Sequence, residues 1–236
     1  MGTFIMLDGI DGSGKSTIIS SWVEHLEQRQ KVFRLKPYWL THHKHPTLQE
    51  LESYDVIVSS EPTSVWVGAA IRQELVQNHD DYSQNTVVRA FALDRLILYK
   101  RLLVPLLAQG KTIIQDRGVS TSLCYQPLEP HGMRRADIAL VRGNDFALTH
   151  APHHLVITDI PVSSAMNRLG GRTEKQDNAV FEKASFLEDA RQTFLSKDFQ
   201  QYFTRQDTAI HLLNTDSSID IMKKDAITLL ESILHS

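Results

Sequence analysis

The sequence predicts an α/β fold: a parallel β-sheet covered on both faces by helices. Three observations point there. Short apolar runs alternate with helical patterns along most of the chain, which is how parallel strands joined by crossover helices read in sequence. One glycine-rich octapeptide, Gly9-Ile10-Asp11-Gly12-Ser13-Gly14-Lys15-Ser16, fits G-x-x-x-x-G-K-[ST] without a mismatch and lies between such a run and such a helix. The length of 236 residues, with 42% hydrophobic and 22% charged, is an ordinary globular balance with room for one large domain or two small ones.

The elements follow in order. Residues 3–7, 31–35, 55–59, 111–115, 154–159 and 209–213 are the candidate strands, each a short apolar run bounded by turn or helix signals. Residues 17–29 after the glycine-rich loop form an amphipathic helix, with Ile18, Ile19, Trp22, Val23 and Leu26 on one face. Residues 86–109 make the longest helical pattern, where Pro105 is expected to kink or break the helix and Gly110 to close it. Residues 37–53 read as irregular, with two prolines and the run His42-His43-Lys44-His45. Adjacent histidines without a recognised ligand spacing are expected to be solvated rather than metal-bound. Residues 169–178, with Gly170-Gly171-Arg172, read as a mobile loop of the kind that closes over active sites. No internal repeat or low-complexity linker divides the chain, so one domain over 1–236 is expected.

Composition excludes several classes. A net charge of −3 argues against sequence-independent nucleic-acid binding. Cys124 is the one cysteine, so no internal disulfide can form and a reducing compartment is expected. No cationic segment leads into a long apolar run, so neither a signal peptide nor a membrane span is expected, and the protein is read as cytoplasmic.

The octapeptide is a phosphate-binding loop. Its glycines let backbone N–H groups turn toward phosphate oxygens, and the following helix N-terminus adds partial positive charge. Lys15 is placed to reach β- and γ-phosphates and Ser16 to ligate Mg²⁺. An acid at Asp11, inside this loop, is costly beside a triphosphate unless it meets a metal or a substrate donor. A phosphate loop alone does not choose among kinase, switch GTPase, motor and transporter. The sequence lacks the base-reading N-K-x-D of GTPases and a long aliphatic strand ending in two acids.

Instead the strand at 111–115 leads into Asp116-Arg117. The C-terminal ends of parallel strands are where ligands sit. There Asp116 can orient Mg²⁺ through water and Arg117 can clamp a phosphate with two N–H groups. Phe91 and Arg95 are four apart on the long helix and share a face; they suit base stacking and a carbonyl contact, and equally a core Phe with Arg at its edge. Arg168 and Arg172 flank the Gly170-Gly171 turn and could meet a migrating phosphoryl group or simply be solvated. Glu61-Pro62 ends the third strand.

Taken together, these pieces resemble the thymidylate kinase family from Phe4 to about the last helix. Phe4 through Thr17 looks like the family's opening strand and loop. Ser60-Glu61-Pro62-Thr63 with Ile71-Arg72 is similar to its R-E-P-x…I-R segment, and Phe91-Ala92-Leu93-Asp94-Arg95 to its F-A-A-D-R helix. Asp116-Arg117 with Tyr125-Gln126 resembles D-R-Y…S-x-x-A-Y-Q, and Thr158-Asp159-Ile160-Pro161 resembles L-D-V-P. Phe181-Glu182, Phe186-Leu187 and Arg191 resemble the segment after the family's lid.

The resemblance implies a P-loop NTPase fold, a five-stranded parallel sheet sandwiched by helices with a mobile lid at about 168–182, and an insertion at about 37–53. It implies transfer of phosphate from ATP, with Mg²⁺, to dTMP in a homodimer paired through the region 86–109. Gly9 through Thr17 and Arg168 would hold ATP. Phe91 would stack on thymine and Arg95 bond its carbonyl. Arg117 would hold the acceptor phosphate, with Glu61 and Arg72 on the same side. Thr121 and Ser122 would lie near the base, and Tyr125 would exclude a ribose 2′-hydroxyl. Asp11 would bond the 3′-hydroxyl or a metal-bound water. Because Gly12 stands where some members carry a loop arginine, Arg172, or else Arg168, would be the lid arginine.

Three positions depart from the pattern: Ser60 for Arg, Gly118 for Tyr or His, and Asn214 for an acid. They leave the donor side intact and alter the acceptor side. A kinase for another nucleoside monophosphate or a deoxynucleoside, and a nucleotide-binding regulatory module, stay open on sequence.

Overall fold

The computed structural model describes residues 2–78, 82–170 and 177–235, without the side chains of 177–182. Its centre is a six-stranded, all-parallel sheet in the order β2-β3-β4-β1-β5-β6. The strands are β1 (Phe4–Gly9), β2 (Val32–Arg34), β3 (Val56–Ser60), β4 (Thr112–Asp116), β5 (His154–Asp159) and β6 (Ala209–Asn214). Six replaces the expected five. Every apolar run pairs, including the three-residue β2, which the edge of β3 holds in register from Val32↔Val56 to Arg34↔Val58.

Alternation along the strands feeds two cores. Phe4 and Met6 join Ile57, Ile113 and Leu155 on one face. Ile5 and Leu7 join Val56, Ile114 and Val156 on the other, beneath Trp22, Met222 and Leu230. This is the period-2 geometry of a strand buried on both faces.

Helix α1 (Lys15–Leu26) buries Ile18, Trp22, Val23 and Leu26 as its periodicity requires, while Ile19 is half-buried. The indole Nε1 of Trp22 donates to Ala226 O at 2.7 Å, tying α1 to the C-terminal helix Ile219–Leu234. The long helix runs unbroken from Gln84 to Ala108. Pro105 does not break it. Residues Tyr99–Leu103 widen into a π-type turn just before the proline, which absorbs the missing N–H and the ring's bulk. Gly110 closes it, as expected, at φ 83°.

The segment 37–53 is not a solvated loop. Leu35–His42 is a helix whose first turn tolerates Pro37, and Trp39 and Leu51 are fully buried. His42 and His43 are exposed, but His45 is buried between Trp39 and Trp66. Its Nδ1 accepts from Trp39 Nε1 at 3.1 Å. Burial, aided by Arg101, lowers its pKa to about 4, so it is a neutral core histidine. Among the described residues no group of three or more His, Cys, Asp or Glu could hold a metal ion. No described helix is long and apolar enough to cross a membrane.

Candidate active site

Everything of interest lies at the C-terminal edge of the sheet, where β1, β3 and β4 release their loops. Register brings Leu7 of β1 and Ser60 of β3 to opposite sides of Asp116.

The phosphate loop leaves β1 at Gly9, whose φ of 142° suits glycine and whose close approach admits nothing larger. An added Cβ would lie 2.1 Å from Thr158 Oγ1. Thr158 Oγ1 donates to Asp8 O at 3.0 Å, so Ser13 Oγ must be the donor in its 2.6 Å contact with Thr158 Oγ1. Helix α1 opens with no side-chain cap and no acid in its first turn, which leaves its N-terminal N–H groups for an anion. Lys15 is buried, with Nζ donating to Gly9 O at 2.9 Å and Ile10 O at 2.8 Å. Burial, reinforced by Arg117, lowers its pKa to about 8 against the pull of Asp8, Asp11 and Asp116.

Two cavities meet here. The first, about 390 Å³, is lined by Asp11, Gly12, Gly14, Lys15, Ser16 and Thr17 of the loop and by Asp116, Arg117 and Arg168. The second, about 280 Å³, is lined by Glu61, Phe91 and Arg95, by Arg117 and Gly118, and by Thr121, Ser122 and Tyr125. Arg117 belongs to both walls. It adopts a left-handed φ of 64°, strained for a non-glycine residue, while its N–H holds Leu7 O at 2.9 Å. The guanidinium Nη2 donates to Asp11, and Nη1 lies 3.9 Å from the buried Asp8. Burial opposes its charge, but Asp8 and Asp11 outweigh burial and raise its pKa. Burial likewise works to raise Asp11, yet Arg117 and then Lys15 hold that carboxyl below its usual value.

Asp116 differs. Burial raises its pKa against Arg117 and Lys15, and its Oδ1 is buried without a hydrogen-bond partner among the described residues. A buried carboxylate oxygen with no donor costs free energy, so this atom suits a cation-bound water, with Ser16 on the same wall.

In the second cavity Phe91 is half-buried and free to stack. Arg95 is 1% exposed and already committed. Nε donates to Glu61 Oε2 at 2.7 Å, Nη1 to Asn144 Oδ1, and Nη2 to Gly118 O at 3.1 Å and Ser122 Oγ at 3.0 Å. Four of its five N–H groups are used inside the protein, which leaves one Nη1 hydrogen for a ligand. Gln115 Nε2 completes Glu61 at 2.8 Å. Burial raises Glu61 to about 7, with Arg95 opposing. The Thr121 hydroxyl donates to Asp8 at 2.6 Å. The Tyr125 hydroxyl is buried without a partner among the described residues, and its ring centroid lies 5.9 Å from the Arg117 guanidinium.

Not every expected residue is brought in. Arg72 lines neither cavity; its Nε donates to Pro62 O at 3.1 Å and Thr63 O at 3.0 Å, so it braces the turn that carries Glu61. Arg168 lines the loop cavity, where Nη2 donates to Thr215 O at 2.7 Å. Arg172 and the rest of 171–176 lie outside the described residues. Asn214 accepts from the Asp216 N–H at 2.9 Å in the turn after β6. Two functional residues escaped sequence reasoning. Asp8, fully buried, binds Gly9 N, Ser120 and Thr121; an acid ending an apolar strand was the available signal. Asn144, reaching Arg95 from a helix distant in sequence, offered none.

A protein-family model described as thymidylate kinase matches residues 46–226. The chain belongs to the thymidylate kinase family. A probable thymidylate kinase of Thermococcus gammatolerans is 28% identical over 248 residues, covering 100% of this chain and 99% of that one. The thymidylate kinase of Akkermansia muciniphila is 31% identical over 195 residues, covering 83% and 79%. A crystal structure of thymidylate kinase from Ehrlichia chaffeensis superposes with a TM-score of 0.64 at 19% identity, covering 98% of each chain, and shares the fold. Within the family, the match begins downstream of the phosphate loop, so the loop and the family match are independent observations.

Proposed function

We propose that the protein transfers the γ-phosphoryl group of ATP to dTMP, releasing ADP and dTDP. The observation that carries this is Arg117, among the described residues the one side chain in the walls of both the phosphate-loop cavity and the Phe91 cavity. A residue so placed can touch donor and acceptor phosphates together, as in-line transfer requires. Phe91 supplies the base-stacking face, and Arg95 keeps one N–H for a base carbonyl. Thr121, Ser122 and Tyr125 complete the base and sugar walls. Of the positions that depart from the family pattern, Gly118 lines the Phe91 cavity and Ser60 lines neither cavity.

In the reaction an oxygen of the acceptor phosphate bonds to the γ-phosphorus as the bond to the β–γ bridging oxygen breaks, and that electron pair stays on ADP. Lys15 and Arg117 hold the phosphate oxygens, and the N-terminus of α1 adds its dipole. Mg²⁺ is part of this reading: the orphaned Oδ1 of Asp116 and the Ser16 hydroxyl would hold it, and when bound it neutralises β- and γ-oxygens. Few protein ligands are needed, because this ion keeps waters and substrate oxygens. A homodimer paired through the long helix 84–108 belongs to the same proposal; Leu93 on that helix is 49% exposed, and Leu140 beside it in one groove is 75% exposed.

Coupled ADP release with ATP and Mg²⁺, run against dTMP, dUMP, UMP, CMP, AMP, GMP and thymidine, tests the reading. Turnover led by dTMP supports it. Turnover led by another acceptor keeps the mechanism and replaces the substrate.

A further inference from the structure

We propose that Lys183 is a further catalytic residue, a cation delivered by the helix after the lid to the phosphates in transfer. The proposal rests on the phosphotransferase reading above. Lys183 lies on helix Asp177–Leu195 and lines the phosphate-loop cavity together with Lys15, Arg117 and Arg168.

Its direction is set by the anchoring of that helix. Leu187, Ala190 and Phe194 are buried in the core at spacings of four, seven and eleven residues from Lys183. Those spacings put all four residues on one helical face, so the face that docks onto the core is also the face that carries Lys183. The C-terminal part of the helix is fixed to the sheet. Arg191 Nε donates to Asp159 Oδ1 at 2.7 Å and Nη2 to Oδ2 at 3.3 Å, at the C-terminal end of β5. Lys183 is two turns nearer the loop. It lies close enough to Asp11 to help hold that carboxyl ionised.

Charge explains why a fourth cation is useful here. Among the described residues the cavity wall otherwise sets Lys15, Arg117 and Arg168 against Asp11 and Asp116, and Arg117 also lines the acceptor cavity. The acceptor side lacks the arginine that Ser60 replaces. Charge that develops on the transferred group is spread over three equatorial oxygens, so several cations can each meet part of it. Lys183, lining the same cavity, offers an ammonium on a flexible four-carbon stem as one such point charge.

The test compares Lys183→Met and Lys183→Arg with wild type in dTMP-dependent ADP release, alone and in an Asp11→Asn background. We expect Lys183→Met to lower kcat by about 10–100-fold, within the range for losing one transition-state donor, with KM for ATP and dTMP moved less than threefold. Lys183→Arg should stay within about threefold of wild type, by the charge it keeps. The Met effect should persist in the Asp11→Asn background. A Lys183→Met kcat within twofold of wild type overturns the proposal. So does a loss that vanishes when Asp11 is neutral, since Lys183 would then act only on that carboxyl. If wild type itself fails to phosphorylate dTMP, it is the functional reading that falls.

Discussion

Arg117 and Asp11, 106 residues apart, form an ion pair on the boundary between the two cavities. The pair orients the guanidinium so that one edge meets the loop carboxylate while the rest faces both cavities. Its left-handed backbone is the local cost of turning the chain straight from β4 over the phosphate loop. Replacing Arg117 by Ala should lower kcat by about 10²–10³-fold. Arg117→Lys should recover only part of this, because an ammonium cannot hold Asp11 and phosphate in one plane. Steady-state kinetics that show equal activity for Lys and Arg at this position would remove the bridging role.

Lys15 predicts a pH dependence. Its folded pKa, about 8, lies below the ordinary 10.5 because it is buried beside Arg117. The free enzyme therefore loses the ammonium as pH rises through about 8, and kcat/KM for ATP should fall there. Phosphates favour the charged form, so the kcat limb should lie at higher pH. The stability sign is opposite: between about 8 and 10.5 the unfolded chain binds the extra proton, so Tm gains from this group as pH rises. Lys15→Arg, which does not titrate in this range, should abolish both effects.

Buried Arg95 changes what its substitution will report. Sequence alone suggests that Arg95→Ala simply raises the acceptor KM. In the fold it strands a buried Glu61 and Asn144, and breaking such a pair costs about 3–5 kcal/mol. Chemical denaturation should show that loss. Glu61→Gln, which keeps the size and one carbonyl for Arg95, should cost much less than Glu61→Ala.

Gly118 sits above Met6. A Cβ there would approach Met6 Cε to 2.5 Å and Sδ to 2.8 Å, while its φ of 179° suits any residue. Gly118→Ala should therefore destabilise by about 1–3 kcal/mol through overpacking, and Met6→Val should recover part of it. A double-mutant cycle with no coupling would show that the Met6 side chain moves freely.

Asp116→Ala should raise the Mg²⁺ concentration needed for half-maximal rate, with little effect on folding, because its free oxygen has no protein donor to lose. A metal titration with an unchanged midpoint would place the ion elsewhere. Arg172→Ala should lower kcat by about 10²–10³-fold while leaving the dTMP KM nearly unchanged; steady-state kinetics with an unchanged kcat would move the lid role to Arg168.

The strands, the phosphate loop, the long helix and the family were legible in sequence, because each is encoded locally. Period-2 and period-3.6 patterns and a fixed glycine spacing need only neighbouring residues. Even the strand count was present as six apolar runs, and the expectation of five came from the resemblance. Which polar group each side chain meets was not legible. Arg95 finds Glu61 34 residues away and Asn144 49 away, His45 is buried by Trp39 and Trp66, and Arg72 turns to backbone carbonyls instead of the cavity. Those partners are chosen by the order in which parallel strands line up, β4 beside β1 with β3 beyond it. Strand order is a property of the packed sheet and not of any one segment, so the shared wall at Arg117 and the reach of Lys183 exist only once the sheet has formed.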